Sequence, residues 1–139
     1  MKPGQFIETR KILFGECDPA GILYTPRICE YVVESALLFL TMVLEQPFER
    51  FIFSQSMSLP ARNIDVDFLK PLTWDDKIDL YAKVCDVRKH AYTIEITALN
   101  DAGETAFAGR ITQVCISTEN KSLAPIPDRL RAALEQTGA

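Results

Sequence analysis

A single histidine, His90, stands in the 139 residues, and the four cysteines (Cys17, Cys29, Cys85 and Cys115) show no C-x-x-C spacing. With one histidine, the His-rich zinc motifs have no ligand set, and no metal is expected. Neither a Gly-x-Gly-x-x-Gly run nor a P-loop occurs, so a dinucleotide-binding domain or an NTPase would lack its phosphate cradle. The N-terminal MKPGQFIETR has no apolar signal core, which with the thiol spacing predicts a reduced, cytoplasmic setting. Basic excess is missing as well. A net charge of -4 argues against nucleic acid or an anionic membrane as the main partner, while a local basic patch for a phosphorylated ligand remains compatible with it.

What is present is an apolar stretch around which the rest is arranged. Residues 14–45 read FGECDPAGILYTPRICEYVVESALLFLTMVLE, a turn followed by a long apolar helix. Thr25 is expected to cap that helix, with Pro26 at its first position, where a missing N–H costs nothing. The helix should end near Gln46-Pro47, because the residue before a proline resists the α region. Almost no polar face is left between Ile28 and Leu44, which predicts burial at the centre of a fold. A membrane span is disfavoured, since Arg27, Glu30 and Glu34 shorten the clean run to Ser35–Leu44. Glu34 is the odd residue within it, expected to face water, a partner subunit or a site.

Residues 6–13 read as a first strand. Phe48, Phe51 and Phe53 mark an aromatic connection that forms a helical turn or a flap. Residues 57–68 alternate with a change of phase near Pro60, the pattern of a bulged or edge strand. Ile78, Leu80, Ala82 and Val84 alternate in the next strand, then Tyr92, Ile94, Ile96 and Ala98 after the turn Arg88-Lys89-His90. Residues 104–117 form a last strand with a bulge expected at Gly109. A short C-terminal helix carries Ile126, Leu130 and Leu134 on one face. No connection between the later strands is long enough for a parallel crossover. One domain over residues 1–139 follows, of α+β class: a five-stranded antiparallel sheet wrapped around a long central helix.

Asp18-Pro19-Ala20-Gly21 has the composition of a tight turn, with Asp first, Pro second and Gly fourth. It lies four residues before the helix, so Asp18 can sit near free amides that suit a developing oxyanion. FGECDPAGILYTP resembles the signature of the 4-hydroxybenzoyl-CoA thioesterase family of the hotdog superfamily, and the order of elements agrees over nearly the whole chain. The resemblance implies hydrolysis of an acyl-CoA thioester to acid and CoA, with Asp18 as nucleophile or general base and the Thr25 N–H polarising the carbonyl. It implies no cofactor. Basic residues after the third strand, here Arg88, Lys89 and His90, would hold the CoA nucleotide, in keeping with charge-assisted phosphate contacts. The acyl group would meet Tyr24, Val33 and Glu34. Val33 stands where the 4-hydroxybenzoyl enzyme has an acid for the ring hydroxyl, so a para-hydroxyl is not required, and an unsubstituted aromatic or a short-to-medium aliphatic acyl group fits. A homodimer, often a tetramer, is implied too. Three other readings compete. An acyl-carrier-protein thioesterase or a hotdog dehydratase or hydratase would share the fold, as would a noncatalytic acyl-CoA-binding protein. A Cys17–His90 dyad is disfavoured, because Cys17 and Asp18 point to opposite faces of an extended segment.

Overall fold

The computed structural model describes residues 3–138. In chain order the elements are β1 (Gln5–Lys11), α1 (Thr25–Leu44), α2 (Phe48–Ser54), β2 (Met57–Ser58), β3 (Ala61–Phe68), β4 (Lys77–Val87), β5 (Ala91–Leu99), β6 (Thr105–Val114), β7 (Ile116–Ser117) and α3 (Asp128–Gly138). Five strands form one antiparallel sheet in the order β1-β4-β5-β6-β3. This is the α+β hotdog arrangement expected from the sequence.

Alternation decides what the sheet covers. Ile78, Leu80, Ala82 and Val84 of β4 and Tyr92, Ile94, Ile96 and Ala98 of β5 are all buried. They share the core with Ile28, Tyr31, Val32, Ala36, Phe39, Leu40 and Leu44 of α1. Each buried Val, Leu, Ile or Phe side chain among them contributes about 1.5–3 kcal/mol, so the α1–sheet layer is a major source of stability. Ile126, Leu130 and Leu134 are buried as expected and dock α3 into the same core. The buried Tyr92 hydroxyl donates to Gln113 Oε1 at 2.9 Å, and Gln113 Nε2 donates to the Leu59 carbonyl at 2.9 Å. Both polar groups are therefore paired inside the core.

Four expectations are corrected. First, the helix begins at Thr25 with Tyr24 as its N-cap, and no side chain caps it. Tyr24 donates its N–H to the Glu16 carbonyl at 2.9 Å, so the extended run persists to Tyr24 and Thr25 is already helical. Second, α1 is buried on one side only. Val33, Leu37, Leu38 and Met42 form a stripe that is 37–43% exposed. Third, residues 57–68 are two strands rather than one, parting at Pro60, with β2 pairing with β7 and β3 forming the edge of the main sheet; the irregularity expected near Pro60 is present as a register shift between Ala61 and Asn63. Fourth, β6 runs through Gly109 without a bulge, in register with both neighbours there. The glycine is required by close approach, since a Cβ at this position would lie 2.6 Å from Val32 Cγ2. Burial keeps one phase through the strand, at Phe107, Gly109, Ile111 and Gln113, so the apparent shift to Val114 arises because a polar residue, Gln113, takes the inward position. No helix among the described residues is long and apolar enough to cross a membrane.

Candidate active site

The chain leaves β1 through a single 3-10 turn, Phe14–Glu16, and reaches Cys17, which bridges to Leu23. Between them lies the Asp-Pro-Ala-Gly turn, closed by Gly21 N–H to Asp18 C=O at 2.9 Å and Asp18 N–H to Ile22 C=O at 2.8 Å. Gly21 has φ +81°, in the left-handed region, and a Cβ there would press on Trp74 at 3.1 Å. Thr73 Oγ1 donates to the Gly21 carbonyl at 2.6 Å, which pins the turn to the segment before β4.

The Asp18 carboxylate is oriented by its own turn. Oδ1 accepts from Ala20 N–H at 2.9 Å and Ile22 N–H at 3.2 Å, while no described residue donates to Oδ2. One oxygen is thus held and the other is free to meet a ligand. At the head of α1, Pro26 has no N–H and Arg27 N–H turns back to the Tyr24 carbonyl at 2.8 Å. Among the described residues none accepts from the Thr25 N–H, so it is an orphan donor at the positive end of a 20-residue helix.

Thr25 lines a cleft of about 320 Å³. Its walls are Ile22, Leu23 and Ile28 on one side and Phe68, Leu69 and Phe107 on the other, with Lys70 the one charged lining residue. The cleft is apolar, Thr25 with its unpaired amide lines it, and the Asp18 turn runs into its wall at Ile22; an apolar seat, a base or nucleophile and an oxyanion donor are what acyl transfer to water uses.

Behind the turn lies a polar cluster. The Glu16 carboxylate, 8% exposed, accepts from Leu13 N–H at 3.0 Å, Tyr31 O–H at 2.6 Å and Arg10 Nη2 at 3.1 Å. Arg10 also donates to Glu34 Oε2 at 2.7 Å and lies 3.8 Å from the centre of the Tyr31 ring. Burial first, and the bond to Glu16 second, push the Tyr31 phenol well above its ordinary value, so it stays protonated as a donor. Sequence reasoning missed this cluster as a unit, although two of its members gave a signal: a second acid two residues before Asp18, and Glu34 as the odd acid of the apolar helix.

Of the residues anticipated from sequence, Thr25 lines the cleft, while Asp18 does not line it and sits in the turn that leads into the lining residue Ile22. None of the three acyl-pocket candidates lines this cleft: Tyr24 is exposed just before Thr25, and Val33 and Glu34 lie further along α1. Glu34 faces water and Arg10 instead. Arg88, Lys89 and His90 form the β4–β5 turn, and the nine residues of β5 at about 3.3 Å each separate it from the cleft end of the sheet. Arg88 pairs there with Asp86 at 2.6 Å, and among the described residues the buried His90 Nδ1 has no hydrogen-bond partner. Cys17 and His90 are accordingly at opposite ends. Burial raises the Cys17 thiol, opposite to what an activated nucleophile needs. No cluster of potential metal ligands occurs among the described residues.

A family model described as the thioesterase-like superfamily matches residues 12–134. A 1,4-dihydroxy-2-naphthoyl-CoA hydrolase of Nostoc punctiforme is 30% identical over 136 residues, covering 94% of this chain and 86% of that protein. Among solved structures, a 1,4-dihydroxy-2-naphthoyl-CoA thioesterase from Synechocystis superposes with TM-score 0.84 at 18% identity, covering 94% of this chain and 96% of the other. A gentisyl-coenzyme A thioesterase superposes with TM-score 0.81 at 21% identity, covering 91% and 98%.

Proposed function

The chain belongs to the thioesterase-like superfamily, and on that premise we propose that it is a thioester hydrolase releasing a hydroxylated aromatic acid from its CoA ester. The observation that carries this reading is the unpaired amide of Thr25, a residue lining an apolar cleft whose wall at Ile22 continues directly from the Asp18 turn. The aromatic preference rests on the cleft walls and on relatives named for 1,4-dihydroxy-2-naphthoyl-CoA. The apolar lining suits a ring or an aliphatic chain, but rings bury more surface per frozen bond.

In this reading the free Oδ2 of Asp18 acts on the thioester in one of two ways. As general base it takes a proton from water, whose oxygen adds to the carbonyl carbon. As nucleophile it adds to that carbon itself, forming an anhydride that water then opens. Either way the carbonyl oxygen becomes an oxyanion facing Thr25 N–H, and the C–S bond breaks to release the CoA thiolate. One such donor is worth a factor of ~10²–10³ in turnover. The mechanism is then that of the 4-hydroxybenzoyl type, with a different acyl preference.

A homodimer or tetramer belongs to the same proposal. The β3 edge carries Phe68, 53% exposed, next to the cleft, and an unpaired strand edge with apolar residues invites a second copy. Arg88, Lys89 and His90 would reach CoA phosphates bound at a neighbouring subunit's cleft rather than at their own. The four free thiols fit a reducing cytoplasm. Thiol release from naphthoyl, hydroxynaphthoyl, benzoyl, phenylacetyl and medium-chain aliphatic CoA esters tests the reading. A hydroxylated aryl ester with the highest kcat/KM is expected; aliphatic esters turning over faster would reject the aromatic preference.

A further inference from the structure

The Asp18 turn and the Thr25 amide come from one short segment, and the relative position of the two groups is set by what holds that segment's two arms. Glu16 holds both. Its backbone carbonyl takes the N–H of Tyr24, the residue before Thr25, at 2.9 Å. Its side chain is buried against α1 through Tyr31 O–H at 2.6 Å and against β1 through Arg10 at 3.1 Å, and it caps Leu13 N–H at 3.0 Å. A carboxylate with three donors in a site 8% exposed has its orientation fully specified. The Arg10 guanidinium, stacked on the Tyr31 ring and tied to Glu34, closes the cluster from the solvent side.

We infer that Glu16, locked by Tyr31 and Arg10, is a positioning residue that fixes the Asp18 carboxylate relative to the Thr25 N–H. This rests on the hydrolytic reading of the site. Misplacing reacting groups by ~1 Å costs as much as 10²-fold in rate without touching the chemistry directly. The cluster therefore governs kcat more than substrate affinity, because the apolar walls that seat the acyl group lie elsewhere.

The test uses a matched pair of variants. Tyr31→Phe removes the phenol that orients Glu16; Tyr92→Phe removes an equally buried phenol bonded to Gln113 at 2.9 Å, away from the cleft. Tyr31→Phe is expected to lower kcat about tenfold or more, with KM changed less than twofold, while Tyr92→Phe leaves both within twofold. Glu16→Gln, which keeps an acceptor for Tyr31, should retain more kcat than Glu16→Ala. Equal kcat in the Tyr31 and Tyr92 variants would overturn the inference, as would a change confined to KM. Wild-type turnover and its loss in Asp18→Asn, read in the same assay, report separately on the hydrolytic reading. Amide hydrogen exchange at Tyr24 provides a readout without turnover. Faster exchange in Tyr31→Phe than in Tyr92→Phe supports the clamp, and identical exchange refutes it.

Discussion

Gly109→Ala probes the closest approach of α1 to the sheet. The added methyl would lie 2.6 Å from Val32 Cγ2, 3.2 Å from Val66 Cγ2 and 3.3 Å from the Asp65 carbonyl, so it is hemmed in by helix on one side and strand β3 on the other. Val32 is fully buried and cannot swing aside without displacing its neighbours. Overpacking of this kind costs about 1–3 kcal/mol, and the loss of glycine's freedom in the unfolded chain returns about 0.4–1 kcal/mol. The net is a destabilisation of about 0.5–2 kcal/mol, or a fall in Tm of roughly 2–8 °C for a chain of this size. Thermal unfolding followed by circular dichroism measures it, together with Val32→Ala and the double variant. Because the strain lies between the two side chains, Val32→Ala should cost at least about 1 kcal/mol less in the Gly109→Ala background than alone. Additive effects, or a Gly109→Ala variant as stable as wild type, would refute the close-approach account and reopen the bulge.

Two further outcomes follow from the geometry. Burial pushes the Cys115 thiol up from 9.0 to about 11, so the folded state keeps a proton that the unfolded chain releases first. That contribution is complete below pH 9 and lost as pH rises through 11; wild type should lose stability across this window with an excess slope approaching about 1.4 kcal/mol per pH unit, and Cys115→Ala should not show that excess. Denaturant titrations at several alkaline pH values check it, and identical slopes would contradict it. Arg88→Ala and Lys89→Ala should each raise KM for CoA esters about three- to tenfold with kcat unchanged, as loss of a charge-assisted phosphate contact implies. Unaltered KM in both would remove this turn from the binding surface.

The parts of the fold legible in the sequence are those governed by near neighbours. The alternation of Ile78 to Val84 and of Tyr92 to Ala98 placed two strands and their buried faces, and the Asp18–Gly21 turn with α1 behind it was readable because all its determinants lie within a few residues. Thr25 was misjudged as a cap for a reason outside that window: Tyr24 is held extended by the Glu16 carbonyl, which the spacing of residue types does not reveal. Gly109 looked like a bulge because its true constraint, Val32, is 77 positions away (109 - 32) and on another element. The same holds for the cleft, whose second wall of Phe68, Leu69 and Phe107 is assembled by strand pairing. The exposed stripe of α1 was invisible for the opposite reason: Val33, Leu37, Leu38 and Met42 are as apolar as the buried residues, and composition does not distinguish a face covered by the chain's own sheet from one left open. The Arg10–Glu16–Tyr31–Glu34 cluster joins β1, the 3-10 turn and α1, and only folding brings its charges together.

The most direct test of the central claim is steady-state thiol release from 1,4-dihydroxy-2-naphthoyl-CoA by wild type and by Asp18→Asn, with folding of the variant verified by its unfolding curve. Asn keeps the Oδ1 contacts to Ala20 and Ile22 N–H but removes the charge and basicity of the free oxygen. The account predicts turnover by wild type and a fall in kcat of ~10²-fold or more in the variant, the scale of losing a group that takes up a proton or forms the bond. A folded Asp18→Asn that turns over at the wild-type rate would contradict it.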